Sequence, residues 1–186
     1  GGQLSPTRLF KRGRSKAYLF AGVEVRWKCA DSLASDDVPT EAVFKFPGGL
    51  ADHLAEQIGS RECVTAEPFA GSQDFPDEAG RVEWAIAWFG GGDGFLNSYC
   101  NTVPTSEGGT HEAGLRAALT KGRKAYGEMV GNKKVGQVQA DDLLGTAGAM
   151  LSVFIREPEF QGQTKEKLAS AEAQRLVERA IGDHFD

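Results

Sequence analysis

Apolar and polar positions along the chain follow two periods. Leu9, Phe10, Gly13, Ala17 and Phe20 recur at roughly 3.6 residues, which predicts a helix over 6–20 with Pro6 in its first turn and Gly22 as its stop. From Val23 to Lys28 the period falls to two, with Val23, Val25 and Trp27 on one face of a strand. A polar stretch, Asp31–Thr40, leads to a second short strand, Ala42–Phe46, so the two read as a hairpin with a long loop. Pro47-Gly48-Gly49 breaks the chain, and Leu50, Leu54 and Ile58 mark a short helix closed by Gly59-Ser60. That stop is the predicted domain boundary.

Beyond it, Arg61–Gly80 is acidic and rich in turn residues. Arg81–Phe89 is the clearest strand, with Val82, Trp84, Ile86 and Trp88 on one face. Gly90–Gly94 reads as the turn of a hairpin whose partner strand is Phe95–Val103. The glycine run lacks the GK[ST] ending of a phosphate loop. Thr110 is the predicted N-cap of a helix running to about Met129, with Leu115, Ala118, Leu119, Gly122, Tyr126 and Met129 as its buried stripe. Gly114, Gly122 and Gly127 each cost that helix about 1 kcal/mol against Ala, which predicts close backbone packing. A polar loop, Gly131–Gln139, and a short helical start at Asp141–Leu144 follow. The pattern then predicts a strand at Ala147–Arg156 and a last helix from Ser170 to Ile181. No internal repeat is present.

Composition is that of a globular chain of 186 residues, 40% hydrophobic and 25% charged. The most apolar stretch, Ala147–Ile155, is far short of the ~18 residues of a membrane span, and the first residues have no basic-then-apolar order of a signal peptide. The absence of an initiator Met suggests an internal segment of a longer protein. Cys29, Cys63 and Cys100 are few, odd in number and scattered, which points to buried thiols in a reducing, cytoplasmic setting. His53, His111 and His184 have no metal-ligand spacing, so no metal site is expected. The net charge of -5 conceals segregation: +6 over residues 1–30, -12 over 31–112, +5 over 113–134 and -4 over 135–186. An acidic total therefore does not exclude nucleic-acid contact through a local basic stripe.

Two segments carry the chemistry. One runs from Asn101 to Thr120 and contains Glu107-Gly108-Gly109-Thr110-His111; the other, about fifty residues away, runs from Pro158 to Leu168 and contains Gln163-Thr164-Lys165. A strand, an EGGTH turn, a helix and then a QTK loop resemble the transducer domain of bacterial type IIA DNA topoisomerase B subunits. Ser15–Trp27 and Phe46-Pro47-Gly48-Gly49-Leu50 resemble the end of that family's GHKL ATPase domain. The wording is nearer the topoisomerase IV branch than the gyrase branch, although Leu143–Gly148 departs from the family pattern.

The resemblance implies an α/β (α+β) architecture. Residues 1–59 would be the C-terminal end of the ATPase domain. Residues 60–186 would be a transducer domain like ribosomal protein S5 domain 2, its final helix cut short at Asp186. It assigns Gln163 and Lys165 to the terminal phosphate of ATP, a role suited to amide donors and a compact ammonium. It suggests that Arg116 and Arg123, seven residues apart on one helical face, meet DNA phosphates in the strand-passage cavity. His111 is expected to be structural rather than a general base. The implied ligands are ATP and Mg2+; the implied partners are DNA, the A subunit of topoisomerase IV and a second copy of the B subunit in a homodimer. No membrane is involved, and the setting is the bacterial cytoplasm, at the chromosome. The ATP-binding glycines, the catalytic glutamate and the metal-binding carboxylates of the family have no counterpart here, so the segment alone should neither hydrolyse ATP nor cleave DNA. A gyrase B segment, or a non-catalytic DNA-binding scaffold of the same fold, are the rival readings.

Overall fold

The computed structural model describes residues 5–129 and 144–185, with side chains omitted over 123–129. The predicted loop at Gly131–Gln139 and the start of a helix before Leu144 lie outside the described residues. The chain divides into two compact units, Gly1–Gln57 and Ile58–Asp186.

In the first unit, α1 (Pro6–Leu19) begins where the Ser5 hydroxyl accepts the Arg8 N–H and Pro6 supplies a preset φ. Strands β1 (Glu24–Lys28) and β2 (Glu41–Lys45) pair antiparallel, Trp27 opposite Ala42. Their inward positions alternate, and Phe10 of α1 packs edge-on against Trp27 and Phe44 with ring centroids 5.3 and 5.2 Å away. Helix α2 (Leu50–Ile58) buries Leu50 and Leu54 and stacks His53 on Tyr18 at 3.7 Å.

The second unit is a five-stranded sheet covered on one face by two helices. Its strands are β3 (Phe69–Asp74), β4 (Gly80–Trp88), β5 (Phe95–Cys100), β6 (Val103–Pro104) and β7 (Ala147–Ile155), in the order β3-β4-β7-β5-β6. Helices α3 (Thr110–Met129) and α4 (Ala171–Gly182) lie on it. Val82, Trp84 and Ile86 of β4 and Ala149, Leu151 and Val153 of β7 meet Leu115, Ala118 and Leu119 of α3 and Ala173, Val177 and Ile181 of α4.

The order corrects the predicted hairpin. β4 and β5 are not partners: β7 lies between them, antiparallel to β4 and parallel to β5. The glycine run crosses the end of β7 instead of reversing a hairpin. Phe89 N–H donates to the Thr146 carbonyl and Gly94 N–H to the Gly145 carbonyl, both at 2.8 Å. A Cβ on Gly94 would sit 2.4 Å from the Ala147 carbonyl oxygen, so the crossing needs glycine there. The predicted strand Phe95–Val103 also turns early. Asn101 and Thr102 take left-handed φ of 48° and 70°, and the Asn101 amide exchanges two hydrogen bonds of 2.9 Å with the Ile155 backbone. Within Arg61–Gly80, where composition pointed to turns and no strand was predicted, β3 pairs with β4 along six residues. Of the three thiols expected to be buried, Cys100 is, with burial pushing its pKa up to about 11; Cys29 and Cys63 are half-buried.

Gly114 and Gly122 of α3 lie against other parts of the chain, as their cost predicts; the surroundings of Gly127 lie outside the described residues. A Cβ on Gly114 would stand 2.5 Å from the Gln174 carbonyl oxygen and 3.0 Å from Val177 Cβ, so α4 lies directly on the α3 backbone. A Cβ on Gly122 would meet the Phe185 ring at 2.7 Å. Gly114→Ala should therefore destabilise the chain by about 1–3 kcal/mol through overpacking, where an unopposed helical site gains about 1 kcal/mol. Urea unfolding of the two proteins checks this, and a stabilised variant would remove the close-packing account.

Candidate functional site

Two segments far apart in sequence meet at the start of α3. The Glu107 N–H donates to the Glu166 carbonyl at 2.8 Å, the Leu168 N–H to Gly108 at 3.0 Å, and the Thr110 N–H to Leu168 at 3.0 Å. Residues 161–167 form a closed surface loop, because the Gln161 N–H donates to the Lys167 carbonyl at 2.9 Å. Leu168 anchors the loop by its side chain, which is buried in the core. Just beyond, the Ala169 N–H donates to Glu159 at 2.7 Å and the Glu159 N–H to the Ser170 hydroxyl at 2.8 Å. The Ser170 side chain is therefore spent on the loop and gives α4 no cap of its own.

Gly108 and Gly109 make this junction possible. Their φ values are 75° and 138°, in the region that favours glycine. A Cβ on Gly109 would lie 2.3 Å from the Leu168 carbonyl oxygen, and one on Gly108 would lie 2.9 Å from the Glu112 carboxylate. The expected N-cap is corrected as well. Thr110 is already inside α3, since the Gly109 carbonyl accepts the Ala113 N–H at 3.2 Å. The Thr110 hydroxyl is buried and has no hydrogen-bond partner.

Beneath the turn lies a buried polar chain. Glu112 accepts a short hydrogen bond from the Ser98 hydroxyl. Thr105 Oγ1 lies 2.6 Å from Ser98 Oγ and 2.9 Å from His111 Nε2. Each hydroxyl has one proton, and the carboxylate only accepts. With the Ser98 proton on Glu112, Thr105 donates to Ser98 and His111 donates from Nε2 to Thr105. The remaining ring atom, Nδ1, is buried without a partner. His111 is fully buried, and burial lowers its pKa to about 4, so the imidazole is neutral near pH 7. No nucleophile awaits activation here: the chain ends on Glu112, which pairs with Arg116 at 3.6 Å, one turn along α3. The site braces a turn.

The residues singled out from sequence fall in two groups. Gln163 and Lys165 are both exposed on the clamped loop, and among the described residues Lys165 makes no ion pair. Arg116 lies on α3 with its side chain 39% exposed and engaged with Glu112. Arg123 is on the same helix, where its side chain lies outside the described residues. Lys121, also on α3, pairs with Glu178 of α4. Sequence reasoning missed Ser98 and Thr105; the polar Ser98 on an apolar strand face was the available signal. Among the described residues no three His, Cys, Asp or Glu side chains gather as a metal site would.

The sequence pattern of the DNA gyrase B family matches residues 49–186. The chain is 55% identical to the B subunit of DNA topoisomerase 4 from Caulobacter vibrioides, over 100% of its own length and 27% of that protein's. It is 33% identical to the protein of the same name from Escherichia coli, over 98% of this chain and 28% of that one. It thus spans little more than a quarter of the curated relatives it matches. The 43K ATPase domain of Thermus thermophilus gyrase B, in complex with an aminocoumarin, superposes with a TM-score of 0.80 at 27% identity, covering 99% of this chain and 48% of that one. The topoisomerase IV ATP-binding domain of Francisella tularensis gives 0.77 at 25% identity, over 99% and 48%.

Two outcomes are expected. Gly109→Ala should speed amide hydrogen exchange at Thr110 and Leu168, whose bonds its new Cβ displaces; unchanged protection would mean the turn tolerates a side chain. Protonation of His111 should destabilise the fold. Between pH 6.5 and about 4 the unfolded chain takes up the His111 proton and the folded chain does not, so stability falls as pH falls, by about 1.4 kcal/mol per pH unit in that window. His111→Gln keeps an Nε donor and has no titrating group, so its urea midpoint should depend less on pH there. Parallel profiles for the two proteins would refute the assignment.

Proposed function

The chain belongs to the DNA gyrase B family, that of the bacterial type IIA topoisomerase B subunits, and on that premise we propose that it is the coupling segment of a topoisomerase IV B subunit. Residues 1–59 are then the end of a GHKL ATPase domain, and residues 60–186 a transducer domain like ribosomal protein S5 domain 2. The segment couples ATP binding and hydrolysis to strand passage, decatenation and relaxation of DNA. The full protein works as a B-subunit homodimer with the A subunit, in the cytoplasm at the chromosome. Among the described residues no helix is long and apolar enough to cross a membrane.

One observation carries the reading: the loop bearing Gln163 and Lys165 is rooted by backbone hydrogen bonds to the EGGTH turn, with both side chains outside that bonding. Lys165 presents a compact ammonium with no internal ion pair among the described residues, so its charge is available to a ligand. Gln163 adds amide donors two residues away. Bound ATP supplies the phosphoanhydride bond and most of the charge at its terminal phosphate. Lys165 and Gln163 hold that phosphate while it is attached and release it on hydrolysis, which frees the domain to move. Among the described residues no group of three His, Cys, Asp or Glu side chains offers Mg2+ a set of ligands. Arg116 and Arg123 would meet duplex phosphates without reading sequence. Arg116 shares its charge with Glu112, which weakens that attraction.

In the full-length protein, Lys165→Ala should lower ATP turnover by about a hundredfold or more, the cost of losing one preorganised donor to a charged transition state. Lys167→Ala should leave turnover unchanged. Equal turnover in all three proteins would make Lys165 a surface lysine and favour the scaffold reading. Supercoiling instead of decatenation by the holoenzyme would favour a gyrase assignment.

A further inference from the structure

The strongest unneutralised charge in the first unit lies on α1. Three of the seven bases in residues 1–30 are answered within the fold: Arg14 by Glu56, Arg26 by Glu24 and Lys28 by Glu41. Arg8, Lys11 and Arg12 are exposed and have no ion-pair partner among the described residues. At spacings of three and four they share one helical face with Lys16, opposite Phe10, Gly13 and Ala17.

For the helix itself this arrangement is unfavourable. α1 has no acid in its first turn, where an acid would complement the dipole. Instead three cations crowd its first two turns, repelling the positive helix end and one another. No contact in the described residues of the unit compensates. A local rule broken without internal gain points to use outside the fold.

We infer that the outer face of α1, through Arg8, Lys11 and Arg12, is a docking surface for the phosphate backbone of duplex DNA. Two guanidinium forks and an ammonium within about one turn suit closely spaced phosphates. The positive helix end adds to their field. The face has no aromatic platform for unpaired bases, so it would read charge and not sequence. An anionic membrane is disfavoured, because Phe10 packs on Trp27 and Phe44, Tyr18 and Leu19 are buried, and Leu9 alone of the large apolar side chains of α1 is exposed, too little to insert. The inference rests on the topoisomerase reading only in taking DNA as the polyanion.

The test uses the full-length protein and its Arg8→Ala/Lys11→Ala/Arg12→Ala variant. Binding to a fluorescent duplex is followed between about 50 and 200 mM salt. The variant should bind more weakly, equally so on unrelated sequences, with a log K against log salt slope shallower by about two to three. Its thermal midpoint should be unchanged or higher, since repulsion has been removed. An unchanged slope and affinity would overturn the proposal, as would a variant that loses binding to phosphatidylserine vesicles while keeping that to DNA. Decatenation by the wild-type holoenzyme is measured separately. Its absence would sink the topoisomerase reading, while the salt slope would still decide the role of α1.

Discussion

Three backbone hydrogen bonds hold the beginning of α3 against the residues that follow the QTK triplet: Glu107 to Glu166, Leu168 to Gly108, and Thr110 to Leu168. They bind residues that lie about sixty positions apart in the chain. Side chains play a supporting part, so the junction places few demands on residue type except where backbones approach most closely. At those points only glycine fits, and Gly109 lies against the Leu168 carbonyl with no room for a methyl group. The loop that presents Lys165 is thus an extension of the α3 N-terminus, and a displacement of one is felt by the other.

The polar chain below the turn gives that junction its stiffness. A carboxylate, two hydroxyls and a neutral imidazole are fixed in one donor direction, ending on a histidine atom that is left bare. Such a chain is costly when incomplete and rigid when complete. Glu112 joins it to Arg116, so the face of α3 proposed to meet DNA and the base of the loop proposed to meet nucleotide share one electrostatic element. Of the buried half of that element the sequence offered one sign, the polar Ser98 between Leu96 and Cys100 on a strand face; its partners at 105, 111 and 112 are placed by a turn whose geometry no local pattern specifies.

Elsewhere the sequence was legible where a period repeated for two turns or more. α1, α3, α4, β4 and β7 are present where the apolar spacing puts them. It failed where pairing was not local. The glycine run after β4 had the composition of a tight turn, yet its length serves to step across a strand that arrives more than fifty residues later. β3 was hidden because Gly71, Ser72, Gln73 and Asp74 carry no apolar alternation. Gly71 is there because the Trp84 indole fills the place of its side chain, with ring atoms 2.6 Å from a would-be Cβ. Thr110 looked like a cap because capping residues are recognised by type, whereas the cap position here was set by Leu168 taking its N–H.

The central position of β7 bears on the order in which the molecule is made. A chain emerging from the ribosome delivers β4 and β5 with the short crossing between them, and neither can pair with the other in the final register. Both must wait for residues 147–155, which are the hub of the sheet and, among the described residues, the last of its strands to be synthesised. Until then β4 offers Val82, Trp84 and Ile86 with only β3 for company, an edge of the kind that recruits other chains. The sheet therefore depends on non-local pairing, the kind of topology that folds slowly. Nascent chains are most exposed to misassociation in the interval between the two halves of the sheet.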